Sequence, residues 1–134
     1  MLNIKKTNMT FVLDHIALSV KDVDLSVAFY QSVFRIEEVK NTASSSKTRW
    51  LALTDHKQIH LIPRPELEVK TNKAIHFALA TPNFNAFVKH LKSLEVYYSD
   101  WRDTPKKDYV RDDGIQQIYF QDPDGYWIEV NNAV

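Results

Sequence analysis

The chain states one pattern twice, and this repeat constrains the fold more than any other feature of the sequence. Residues 11–20 alternate, with Ile16, Leu18 and Val20 on one face and His15, Ala17 and Ser19 on the other, the period-two signature of a half-buried strand. From residue 74 the pattern returns: Ile75, Phe77 and Leu79 face one way, His76, Ala78 and Ala80 the other, and His76 takes the place of His15. A helix follows each strand. Asp22 or Asp24 offers a cap before Leu25, Ala28, Phe29 and Val33, which predicts a helix over 24–34. Pro82 and Asn83 open a second helix over 83–94, with Phe84, Phe87, Val88 and Leu91 spaced by three and four.

Further strands follow each helix. In the first half they are predicted over 35–40, 49–53 and 58–62, with a polar stretch over 41–47. In the second half they fall over 96–101, 115–120 and 126–131, separated by a charged loop over 102–114 and a turn at Asp122-Pro123-Asp124-Gly125. The closing strands also match, because Ile59-His60-Leu61 and Ile128-Glu129-Val130 each set a polar residue between two apolar ones.

A half of about 60 residues is too small to bury its own core, so the halves must pair. The expected organisation is one α+β domain over 1–134: a β-α-β-β-β module over 11–62, a charged linker over 63–73 broken by Pro63 and Pro65, and a second module over 74–131. The helices are expected on the outer faces of one shared sheet, with a pseudo-twofold cleft between the modules.

The repeat sets His15, His60, His76 and Glu129 at equivalent points, on the first and last strands of each half and opposite the large apolar side chains. A lone strand histidine is usually a satisfied core or edge residue. Matching positions in a repeat argue for convergence instead, and imidazole with carboxylate suits zinc or nickel first, and iron, cobalt or manganese as well. His56, in a hairpin turn, and His90, beside Lys89 on a helix whose apolar face lies elsewhere, are read as solvated. Arg49, Gln117 and Tyr119 lie on strands that could line the cleft, and Lys106, Lys107 and Arg111 could meet an anionic substrate arm.

Composition removes several classes of function. Lys plus Arg equals Asp plus Glu at 17 each, so no basic field gathers phosphate backbones and nucleic acid is not expected as a partner. Only Gly114 and Gly125 occur, too few for a P-loop or a dinucleotide fingerprint, and the absence of cysteine excludes disulfides, thiolate nucleophiles and Cys-based metal sites. The first ten residues carry Lys5 and Lys6 and lack an apolar stretch, so neither a signal peptide nor a membrane span is expected, and the cytoplasm is the default location.

Two pieces carry a family resemblance: Leu13-Asp14-His15-Ile16 with residues 26–34 (SVAFYQSVF), and residues 118–130 (IYFQDPDGYWIEV). With them the chain resembles the vicinal oxygen chelate superfamily, which includes glyoxalase I, methylmalonyl-CoA epimerase, extradiol dioxygenases, fosfomycin-resistance enzymes and bleomycin-binding proteins. The resemblance implies two β-α-β-β-β modules around a metal cleft, with ligands on the first and last strands of each, which fall here on His15, His60, His76 and Glu129. Arg35 departs from the pattern, since the family often has glycine after the first helix.

Fosfomycin-resistance enzymes and dioxygenases usually lack a ligand at the position of His60, whereas glyoxalase I has glutamate and the epimerase glutamine there. A coordinating residue at all four places leans toward a glyoxalase I-like lyase or isomerase that abstracts a proton next to a carbonyl, as on a hemithioacetal of a 2-oxoaldehyde. Glu129 would then be both ligand and base. The alternatives are a non-haem iron dioxygenase, a fosfomycin-type thiol transferase and a metal-free small-molecule binder. The expected partner is a small molecule, including a thiol adduct, and by analogy a second copy in a homodimer.

Overall fold

A computed structural model of the chain describes residues 9–134. Residues 1–8, on which part of the expectation of no signal peptide rests, lie outside the described residues. Among the described residues no helix is long and apolar enough to cross a membrane.

The first module runs β1 (His15–Val20), α1 (Val23–Phe34), β2 (Glu38–Val39), β3 (Arg49–Ala52) and β4 (Gln58–Pro63). The second runs β5 (His76–Ala80), α2 (Phe84–Ser93), β6 (Tyr109–Val110), β7 (Gln116–Gln121) and β8 (Trp127–Asn131). The strand orders are β1-β4-β3-β2 and β5-β8-β7-β6, with the first and last strands of each module parallel and the remaining pairs antiparallel. The repeat survives in register: Ala17 pairs with His60, and Ala78 with Glu129.

The modules do not build the expected single sheet. They form two four-stranded sheets, with β1 and β5 each at an edge. Each sheet turns its apolar side inward, so that Leu18, Val20, Ile59 and Leu61 of one and Ile118, Phe120, Ile128 and Val130 of the other join one core with the helices. Phe34 of α1 stacks on Phe87 of α2 and lies 6.0 Å from Phe120 of β7, while Phe29 lies 6.5 Å from Phe120. The helices are therefore inside, between the sheets, rather than on outer faces. Apolar area on the inner face of each sheet is thus covered by the other module, which neither half could achieve alone.

A polar clasp fixes this arrangement. In the 122–125 turn, Asp122 Oδ1 accepts the amides of Asp124 and Tyr126, both at 2.9 Å, and Oδ2 accepts Tyr30 Oη–H at 2.7 Å. Asp124 accepts the Lys21 amide and the Ser26 hydroxyl, and Tyr126 Oη donates to Ser19 O. Gly125 is required in this turn: its φ is +90°, and a Cβ would stand 3.3 Å from Thr71 Oγ1.

The clasp also rotates α1 from its expected face. Ser26, Val27, Tyr30 and Val33 are buried, whereas Leu25 and Ala28 are exposed, because the turn supplies partners for the Ser26 and Tyr30 hydroxyls. Asp22 caps the helix by accepting from the Leu25 amide, and Arg35 ends it at φ 52°, so arginine holds the left-handed conformation in which glycine is usual.

Other boundaries move for lack of partners. β1 starts at His15, where pairing with β4 begins, and leaves Phe11 and Leu13 exposed outside the strand. Ile75 is likewise exposed just before β5. Residues 96–101 form no strand. Only Ser99 bridges Tyr119, because the chain turns at Trp101 and doubles back until the Lys106 amide reaches Tyr98 O, and the short β6 takes the remaining place beside β7 within the loop read as irregular. His90 is half-buried rather than solvated, with Nε2 2.6 Å from Ser32 O across the helix pair, while His56 is exposed as expected.

Candidate metal centre

The polar faces of the two sheets carry the four candidate residues as two pairs. On the first sheet the His15 and His60 rings stack with centroids 4.0 Å apart. On the second, His76 Nε2 lies 3.5 Å from Glu129 Oε1. Both faces point away from the shared core, so the pairs do not face each other within one chain. Among the described residues no three of His, Asp or Glu gather to hold an ion.

Two of the histidines have one ring nitrogen fixed by a hydrogen bond, as a metal ligand would need. His15 Nδ1 is 2.7 Å from Asp14 Oδ2 and His76 Nδ1 is 2.9 Å from Lys73 O. Since carboxylate and carbonyl only accept, Nδ1 is the donor in both rings, which leaves Nε2 as the ring nitrogen that would meet a metal.

Glu129 is buried and fixed at both oxygens: Tyr119 Oη donates to Oε1 at 2.8 Å and Asn131 Nδ2 to Oε2 at 2.6 Å. Gln117 Nε2 donates in turn to Tyr119 Oη. Burial, reinforced by the Glu129 carboxylate, pushes the Tyr119 hydroxyl well above its ordinary pKa, so it stays a donor. Each carboxylate oxygen retains a second lone pair, so the group still fits a cation.

His60 fits less well. Its Nε2 donates to Gln58 Oε1 at 2.8 Å, and its ring is sandwiched between His15 and Trp50, lying 4.4 Å from Trp50 with planes 2° apart. Ring planes of His15 and His60 inclined by only 14° cannot both contain an ion about 2.1 Å from each nitrogen. Burial, with the neighbouring His15, holds the His60 pKa below its usual value.

Gln117 and Tyr119 lie on the Glu129 face, but Arg49 does not. It is on the helix side, bound bidentately to Glu38 and by one contact to Asp24. Of the loop cations, Arg111 pairs with Asp113. The periodicity missed Asp14, Gln58, Asn131 and Lys73 because their roles depend on individual hydrogen bonds, a main-chain one at Lys73, that alternation does not encode. A cavity of about 380 Å³ opens beside His15 between the free edges of β1 and β5, with Leu13, Phe34, Phe77, Leu79 and Phe87 among its walls.

The sequence profile of the Glyoxalase/Bleomycin resistance protein/Dioxygenase superfamily matches residues 12–130. The metallothiol transferase FosB of Lysinibacillus sphaericus is 30% identical over 125 residues, covering 90% of this chain and 82% of that protein. Glyoxylase I 4 of Arabidopsis thaliana is 28% identical, covering 90% of this chain and 70% of that protein. The crystal structure of the fosfomycin resistance protein FosX from Listeria monocytogenes superposes with a TM-score of 0.71 at 26% identity, covering 94% of this chain and 96% of that one. The paired modules, their mirrored register and these likenesses together make the chain a member of the Glyoxalase/Bleomycin resistance protein/Dioxygenase superfamily.

Proposed function

We propose that the protein is a metal-dependent enzyme acting on a small electrophile, with a divalent ion held by His15 of one copy and by His76 and Glu129 of a second. One observation carries the reading: His15 and His76 each have Nδ1 tied by a hydrogen bond, yet among the described residues they do not gather around one ion in a single chain. A second copy is the simplest source of the missing half at each site. Apolar Phe11, Leu13 and Ile75, all more than half exposed, adjoin the two histidines and would be covered by the same association.

Three protein ligands leave coordination positions open for substrate, and an ion bound there would act as a Lewis acid toward a substrate oxygen. Glu129, fixed at both oxygens, suits a ligand more than a mobile base. These features and the likeness to the metallothiol transferase FosB favour thiol transfer over the lyase chemistry that four ligands imply. In that reaction the thiol sulfur bonds to carbon, the carbon–oxygen bond of a strained ring breaks, and the proton lost by the thiol balances the one gained by the freed oxygen. A second reading, proton abstraction on a hemithioacetal, is favoured by the buried Glu129 carboxylate beside His76.

Protein purified without a His tag, analysed for metal and then assayed with manganese, nickel or zinc, tests both. Thiol-dependent consumption of fosfomycin with L-cysteine or another small thiol is expected. Turnover of a methylglyoxal hemithioacetal with fosfomycin untouched would overturn thiol transfer in favour of the second reading.

A further inference from the structure

Lys73 closes the charged segment that the sequence reads as a linker, yet its side chain is only 13% exposed. Its ammonium donates to Asp103 Oδ1 at 2.6 Å, Asp100 O at 2.9 Å and Trp101 O at 3.1 Å, with Ser99 Oγ at 3.4 Å. It also sits 4.8, 5.2 and 5.6 Å from the ring centroids of Trp127, Tyr119 and Trp101, within range of cation–π attraction. Every oxygen in this set comes from one bend, residues 99–103. The bend is strained, because Asp103 has φ 64°, and it carries Trp101 against the metal half-site: the indole lies 5.4 Å from Tyr119 and 6.3 Å from His76. The Lys73 carbonyl in turn accepts from His76 Nδ1.

We propose that Lys73 is a positioning residue, a built-in cation that folds the 99–103 bend against the His76–Glu129 half-site and so sets Trp101 as a wall of the substrate site. Burying an ammonium is costly, and a neutral side chain of equal volume would fill the space without the desolvation penalty. What the charge adds is convergence: two backbone carbonyls, which face outward in an unconstrained turn, point at a single centre. The bend then holds its shape without a bound ligand. The carbonyl that orients His76 is main chain, so a side-chain change at Lys73 separates the loop from the metal.

The inference rests on the metal-site reading only for its effect on turnover, and its first test does not need metal. Amide hydrogen exchange on the metal-free protein should show protection of residues 99–106 falling at least tenfold in Lys73→Met, with β1 and β4 unchanged. In Lys73→Ala, n-propylammonium should restore part of that protection. With the metal-loaded enzyme, Lys73→Met should raise KM for the electrophile about tenfold and leave kcat and metal affinity within about threefold, the pattern of a lost binding wall. If Lys73→Met does not fold, Asp103→Asn, which weakens the clamp from the exposed side and suits the left-handed backbone, should loosen the same segment to a lesser degree. Unchanged exchange over 99–106 in either folded variant overturns the proposal. Loosened exchange with no metal binding by the wild type overturns the metal-site reading and leaves the clamp standing.

Discussion

The His15–His60 and His76–Glu129 pairs show what a repeat encodes about a single residue. Alternation fixes the face of a strand, and it put His15, His60, His76 and Glu129 on the faces opposite the core. Ring orientation depends on neighbours that alternation does not register: Gln58 takes one nitrogen of His60, and Trp50 and His15 flank its ring. The proposed ligand count of three at each site therefore has a direct consequence. His60→Phe, which keeps a flat ring in the stack, should change zinc affinity by less than about threefold, whereas His15→Ala and His76→Ala should each lower it by on the order of 100-fold or more. Titration calorimetry on untagged protein separates the cases, and a loss in His60→Phe equal to that in His15→Ala would restore His60 as a fourth ligand. Lys73 was hidden for the same reason, since a charged residue among charged residues looks solvated until its partners are known.

At the scale of elements, both helices were legible to within a residue at each end, but the buried face of α1 was not. An apolar stripe through Leu25, Ala28, Phe29 and Val33 is the ordinary reading of that segment. The observed stripe includes Ser26 and Tyr30 because Asp122 and Asp124, about 100 residues away in sequence, accept their hydroxyl protons. Burial raises the pKa of Asp122 above its ordinary value, and the hydrogen bonds from Tyr30 and the Tyr126 amide only partly offset this. A carboxyl raised in the folded state contributes its stability in full below its unfolded pKa, about 3.9. That contribution is lost as pH rises through the folded value. Asp122→Asn keeps a partner for Tyr30 and removes the titration. Its stability relative to wild type in urea denaturation should therefore increase from pH 4 upward, and a difference that stays flat with pH would contradict this account. Asp122→Ala should cost about 2–3 kcal/mol, since it leaves the Tyr30 hydroxyl and two turn amides without their acceptor. The strand mistaken over 96–101 has a related origin: its apolar content was read correctly, but the Lys73 clamp and the return to Tyr98 bend it out of the sheet.

For the whole molecule, the twofold repeat and the need to share a core followed from length and pattern, while the manner of sharing did not. Binary pattern says that each sheet has one face to bury, and both one shared sheet and two sheets enclosing the helices satisfy it. The aromatic contacts among Phe29, Phe34, Phe87 and Phe120 and the clasp on α1 select the second, which turns the polar faces outward and splits the proposed metal ligands between the two modules. In the proposed assembly each ion is bound by the first module of one copy and the second module of another. Mixing His15→Ala chains with His76→Ala chains under conditions that allow subunit exchange tests it. Each variant alone should bind metal weakly. A mixed pair brings the intact His15 of one chain to the intact His76 and Glu129 of the other, so the mixture should regain one tight site per mixed dimer, together with a matching share of activity. A mixture that exchanges subunits and still binds no better than either parent would contradict the shared site, because ligands held within one chain cannot be restored by a partner.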